Sequence, residues 1–285
     1  LIMKKRTYYL VGLLLSLLIA LLSLITVSYK QNLSPDETSS FELANFPNED
    51  FNYGSDSIYH PGNSYCLQDL VTYHDPTAEW NRMMAVHDNH RFDYCNVWKN
   101  QASDVHPPLY YSALHTVCSF SPGQYSKWQG GVVNILFAIL TLWVLFSLAY
   151  ELTNSQLFAI VTTSTYAILP AILNAVALFR MYTMAMFFIS LLCLLFVKLQ
   201  KRERPSWKQY LTIGVTTLLG ALTHYYVILF TICLTVTYVI IQICKRSLRN
   251  AIVLFATMVV SGAASVIAFP AMLDHALGTG VHGET

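Results

Sequence analysis

Of 285 residues, 54% are hydrophobic and only 12% charged, with a formal net charge of +1. Charges this sparse cannot coat a soluble domain, so the composition excludes an ordinary globular protein and points to a bilayer as solvent. Twelve of the 16 Asp and Glu residues fall between Asp36 and Asp104, while Lys and Arg gather at the ends of apolar stretches. Orientation in a membrane accounts for such basic clusters, which argues against a nucleic-acid partner.

The chain opens Leu1-Ile2-Met3, which makes Met3 the expected natural start, and Lys4-Lys5-Arg6 follow. Residues 8–29 are apolar, long enough to span a bilayer and without a small-x-small cleavage site, so they read as a retained anchor. The basic cluster places the N-terminus in the cytoplasm and residues 32–127 in a large extracytoplasmic loop. Cys66 and Cys95 share that loop and either pair in an oxidising compartment or remain two thiols. The other four cysteines, Cys118, Cys193, Cys233 and Cys244, lie in apolar segments, and no CxxC metal pattern occurs. His87 and His90 sit one helical turn apart in a polar stretch, where solvated side chains are expected instead of metal ligands. Residues 107–120 are too short to span. Ser112, His115, Thr116 and Ser119 face one way and Tyr110, Ala113, Leu114 and Val117 the other, which predicts an amphipathic helix along the membrane interface.

Residues 128–270 then divide into six further spans. Gly131 to Ala149 crosses inward, and 156–197 forms a hairpin turning outside between Pro170 and Arg180. A basic cluster from Lys198 to Lys208 marks the cytoplasmic side again, and a second, Lys245 to Arg249, bounds the stretch 209–244. Two inside ends require a hairpin there, turning outside near Thr223 to Tyr226. Residues 251–269 cross outward, and 271–285 begin an outer segment. The expected fold is therefore an all-α integral membrane protein, one module over 1–285 with about seven transmembrane helices, whose native chain is expected to continue past Thr285.

Four places could carry chemistry. Asp36 and Glu37 follow the first span directly; a carboxylate there can act as general base on a hydroxyl acceptor, and the same residues also suit a helix start capped by Ser34. Asp104 and His106 stand before Pro107-Pro108-Leu109-Tyr110-Tyr111, where they could bind phosphate or a metal, or simply close a turn and cap a helix. Arg180 is the one charged residue between Gln156 and Val197, at the outer end of its span beside Tyr182. A lone cation there needs an anionic partner or must snorkel to the headgroups, and guanidinium pairs well with phosphate. His224, in Thr223-His224-Tyr225-Tyr226, approaches the same surface or packs among the aromatics.

Taken in order, Asp36-Glu37, Asp104-Val105-His106-Pro107-Pro108-Leu109-Tyr110-Tyr111, Arg180-Met181-Tyr182 and Thr223-His224-Tyr225 make nearly the whole chain resemble the GT-C class of integral membrane glycosyltransferases. The likeness is to the bacterial branch related to protein O-mannosyltransferases and lipid A aminoarabinose transferases. This resemblance implies transfer of a sugar from a polyprenyl-phosphate donor to a glycan, lipid or protein acceptor on the extracytoplasmic face. It implies Asp36 as catalytic base supported by Glu37. Asp104 and His106 would organise the donor phosphate or a divalent cation, the cofactor being left open, and Arg180, with Tyr182 and His224, would meet the leaving phosphate. Relatives often carry a glutamate two residues before the arginine, and here that position is Leu178. The competing readings are a lipid-linked-sugar transporter or flippase, for which repeated halves and an intramembrane acid are missing, and a non-catalytic protein that only binds the donor.

Overall fold

A computed structural model describes residues 5–48 and 81–277, and among these the chain is helical with no strand. In chain order the helices are α1 (Lys5–Tyr29), α2 (Pro35–Asn45), α3 (Tyr94–Ala102), α4 (Leu109–Cys118), α5 (Lys127–Thr153) and α6 (Gln156–Ile168). They continue with α7 (Pro170–Ala177), α8 (Tyr182–Gln200), α9 (Trp207–Ala221), α10 (Tyr225–Cys244), α11 (Leu248–Ala268) and α12 (Ala271–Leu277). Cys66, which shares the expected loop with Cys95, lies outside the described residues, as do 278–285, so the choice between a disulfide and two thiols falls outside them too.

Five helices, α1, α5, α8, α10 and α11, are long and apolar enough to cross a membrane, and α6 with α7 makes a sixth candidate bent by 52°. The bend falls at Leu169-Pro170, where proline has no N–H to continue the ladder and pushes the preceding residue out of helical conformation. The remaining expected span corresponds to α9, whose 15 residues rise only about 22 Å, short of a hydrocarbon core. Apolarity around 209–244 could not reveal this, because the turn at 222–224 is itself apolar at Leu222 and takes its residues from α9.

Several hydroxyls inside the spans are satisfied locally. Thr231 and Thr235 in α10, and Ser261 and Ser265 in α11, each donate to the carbonyl four residues back, so these groups need no partner from another helix. Leu, Ile and Val side chains of α1, α10 and α11 cover the outside of the bundle.

The helices alternate in direction, so the bundle has two unlike ends. At one end Lys201 pairs with Glu151 at 2.9 Å, Gln242 with Gln200 at 2.8 Å, and Asn250 donates to the Glu203 carbonyl. The other end carries α2, α3, α4, the turn 178–181 and the turn 222–224. Asparagines stitch α2 to α3: Asn100 Nδ2 donates to the carbonyls of Leu43 and Phe46, and Asn96 Nδ2 to Phe46.

Helix α4 forms where expected but does not present its polar stripe to water. His115 and Ser119 are buried as completely as Tyr110, Tyr111 and Leu114. His115 Nδ1 meets Asn45 Oδ1 at 3.2 Å, and Ser119 accepts from the Phe92 N–H and the Arg91 Nε–H through its hydroxyl and carbonyl. Burial holds the His115 imidazole below its usual pKa and pushes the Cys118 thiol up to about 12. The stripe is a seam, His115 and Ser119 against α2 and the 87–93 turn, Ser112 and Thr116 half-buried against Trp98 and Tyr94 of α3. Helical periodicity reveals that two faces differ, not which of them another segment covers.

Glycine makes one close approach that matters. A Cβ at Gly130 would stand 2.7 Å from Cγ of Phe179, a fully buried ring that cannot retreat. Gly130→Ala is therefore expected to cost about 1–3 kcal/mol through overpacking, although alanine favours the helix, and to lower activity several-fold by shifting the 178–181 turn. Thermal unfolding in detergent beside a turnover assay checks this; an unchanged melting temperature would show that the turn yields freely.

Candidate active site

Three turns and one helix start converge at this end of the bundle. Ser34 caps α2 in a reciprocal capping box with Glu37, and Pro35 takes the first helical position. That geometry turns Asp36 and Glu37 in opposite senses. Glu37 is 1% exposed and fully engaged. Its carboxylate accepts from Ser34 N at 2.8 Å, Ser34 Oγ at 2.9 Å and Phe179 N at 2.9 Å, and pairs with Lys30 Nζ at 2.9 Å. Asp36 is exposed, and among the described residues its carboxylate takes part in no hydrogen bond.

Arg180 lies in the turn between α7 and α8. It is 6% exposed, and its Nη1 donates to the Asp36 main-chain carbonyl at 2.9 Å and to Ser40 Oγ at 3.3 Å. Its Nη2 donates to His106 Nε2 at 3.3 Å, while Nε has no partner. Burial alone would lower the guanidinium's pKa, but Tyr111, Asp36, Tyr182 and Asp104 around it outweigh that and raise it. The turn is held from behind by Asn134 of α5. Asn134 Nδ2 donates to the carbonyls of Val176 and Leu178 at 3.0 and 2.7 Å, and its Oδ1 accepts from Thr183. Carbonyls freed where α7 ends thus find a buried partner.

His106 donates from Nδ1 to Asp104 Oδ2 at 2.8 Å, which leaves Nε2 as the acceptor for Arg180. A carboxylate fixing an imidazole tautomer and orientation is a familiar supporting arrangement. His224 caps α10, its Nδ1 accepting from Tyr226 N at 3.1 Å, so the neutral ring carries its proton on Nε2. The His224 ring centre stands 6.4 Å from that of His106 and 5.9 Å from that of Tyr182. Burial, then His106 and Arg180, lower its pKa and keep it neutral near pH 7. The 106 and 224 turns meet because Leu109 N donates to the Leu222 carbonyl at 2.9 Å, tying the start of α4 to the end of α9.

All seven residues singled out in the sequence, Asp36, Glu37, Asp104, His106, Arg180, Tyr182 and His224, thus lie on or beside this cluster. Sequence reasoning missed Lys30, Ser40 and Asn134. An asparagine amid an apolar span and a lysine at the outer end of the first one were the available signals. Among the described residues no group of three His, Cys, Asp or Glu side chains is placed to hold a metal ion. Asp104 Oδ2 is committed to His106, and a dication at His106 Nε2 would confront the Arg180 guanidinium, so the arrangement suits an anion.

Residues 105–269 match the profile of the family described as dolichyl-phosphate-mannose-protein mannosyltransferase. That is more than half of the chain. The protein belongs to this family. The searches of curated proteins and of solved structures returned no match. The mannosyltransferase match includes His106, Arg180, Tyr182 and His224, whereas Asp36, Glu37 and Asp104 precede it. Family membership together with five or six apolar candidate spans makes this a multi-pass membrane glycosyltransferase that draws on a lipid-phosphate-linked sugar.

Proposed function

We propose that the protein transfers a sugar from a polyprenyl-phosphate donor to a hydroxyl-bearing acceptor on the extracytoplasmic face, with Asp36 as general base. One observation carries this reading. Asp36, exposed and with a carboxylate that takes part in no hydrogen bond among the described residues, is the residue whose main-chain carbonyl Arg180 holds, which brings a base and a buried cation to one place. The acceptor oxygen attacks the anomeric carbon as Asp36 takes its proton, and the bond from that carbon to the phosphate oxygen breaks. Arg180, seated by His106 and Asp104, meets the charge that grows on the departing phosphate. A single displacement of this kind inverts the anomeric configuration. Glu37 holds α2 against the 178–181 turn, and its carboxylate reaches Phe179, next to the position where relatives carry a glutamate. The extracytoplasmic placement rests on the basic clusters at the opposite end of the bundle.

The isoprenoid tail has a place to go. A cleft of about 580 Å³ between α10 and α11 is lined by Ile228, Thr231, Val236, Phe255 and Gly262, and it begins at Ala221, one turn from His224. A Cβ at Gly262 would meet nothing within 4 Å. Gly262→Leu is expected to fill the cleft and raise KM for a long-chain donor by about tenfold, the worth of roughly two buried methylenes, with little effect on a short-chain analogue. Equal KM values for both donors would place the tail elsewhere.

The defining experiment is transfer of radiolabelled sugar from a panel of polyprenyl-phosphate sugars in proteoliposomes. Labelled product from one donor with wild type, lost in Asp36→Asn and Arg180→Ala, supports the assignment. Donor binding without turnover would move the protein to the non-catalytic, lipid-binding reading.

A further inference from the structure

Among the described residues, two buried hydrogen-bond donors at the site have nothing to donate to. Arg180 Nε is one, and Arg180 is 6% exposed. The hydroxyl of Tyr111 is the other, on a side chain that is 0% exposed. The Tyr111 ring centre lies 6.4 Å from that of His106, and the charges of Asp104 and Arg180 act on its hydroxyl. Ser40 stands beside that hydroxyl, but its own Oγ donates to the Asp36 carbonyl and accepts from Arg180, and the two hydroxyls do not meet in hydrogen-bond geometry.

An unsatisfied donor in a protein interior is costly, and two of them, on residues whose charges act on one another, call for an acceptor. In a guanidinium, Nε and one N–H of Nη2 point the same way and form the edge that grips an oxyanion with two parallel bonds. Nη1 is committed to α2 and one donor of Nη2 to His106, which leaves Nε and the second Nη2 N–H to meet a ligand. We propose that Tyr111 is a phosphate-binding residue: its hydroxyl and the Nε edge of Arg180 together clamp the phosphate of the lipid donor. The inference rests on the donor class assigned above and adds a residue to it. A tyrosine hydroxyl supplies direction without charge, so it separates a phosphate from a neutral polyprenol and leaves the net charge of the site to Arg180.

The test is Tyr111→Phe, which keeps the ring and removes only the hydroxyl. Binding of polyprenyl phosphate, of the uncharged polyprenol and of inorganic phosphate is measured on wild type and variant in nanodiscs, alongside transfer. Wild type should prefer polyprenyl phosphate to polyprenol. Tyr111→Phe should lose about tenfold in affinity for polyprenyl phosphate and nothing for polyprenol, with a rise in donor KM at unchanged melting temperature. Equal weakening toward both lipids would assign Tyr111 a packing role and overturn the proposal. So would unchanged affinity for polyprenyl phosphate. Competition by inorganic phosphate that is lost in Tyr111→Phe would keep the clamp and show that it reads the phosphate without the lipid. Should wild type bind no polyprenyl phosphate at all, the donor assignment itself fails, a result distinct from any change between the two proteins.

Discussion

Asp36→Asn is expected to remove sugar transfer while leaving the fold and donor binding as they are. The side chain is exposed and takes part in no hydrogen bond among the described residues, so the amide replaces it without disturbing a neighbour. What the amide cannot do is accept a proton. Loss of a positioned general base lowers turnover by about 10²–10⁴-fold, and the loss should appear in kcat with donor KM nearly constant. The adjacent Glu37→Gln should behave in the opposite way. Glu37 receives three hydrogen bonds and an ion pair in a buried position, and an amide would turn N–H groups toward those donors. A stability loss of about 2 kcal/mol or more follows, read as a lower melting temperature, with activity falling only as the 178–181 turn loosens. If Asp36→Asn retained transfer within a few-fold of wild type, the base would have to be another group.

Arg180→Ala carries the second large effect. The guanidinium is the buried cation facing the proposed leaving group, and removing such a preplaced charge costs about 10²–10³ in kcat. It also strips donors from the Asp36 carbonyl, Ser40 and His106 at once. Arg180→Lys should recover less than a tenth of the lost rate, because an ammonium cannot serve three fixed acceptors and a bidentate oxyanion from one plane. Single-turnover measurements with saturating donor separate this from weakened binding. Wild-type turnover in Arg180→Lys would mean that only a point charge is needed and that the planar geometry of the turn is incidental.

Much of this arrangement was legible in the sequence and some was not, for physical reasons. Charge segregation and apolar lengths gave the all-α membrane class, and the four motifs gave residues that the fold gathers. Spacing could not say that Asp36 and Glu37, adjacent on one helix turn, would divide into a free carboxylate and a buried strut. That division depends on Lys30 and the Phe179 N–H, contributed from the residue just after α1 and from 142 residues away. Nor could it show that the α4 stripe from Ser112 to Ser119 faces protein, since periodicity is blind to what covers a face. The role of Asn134 was hidden because an asparagine in an apolar stretch announces a polar contact without naming its partner. The shortness of α9 was hidden because the apolar run continues through Leu222.

The bond from Arg180 to the Asp36 carbonyl has a consequence for how such a site can diverge. It fastens the N-terminal segment, described over residues 5–48, to a turn that follows Ala177, so the two segments are inherited as a matched pair. A chimera that exchanges residues 1–48 with those of a relative brings a foreign α2 to this Arg180, and the groups that meet are set by the backbone path of one half and the side chain of the other. Recombination at the boundary between them would be tolerated only where both partners hold that carbonyl at the same height, whatever acceptor each has come to use.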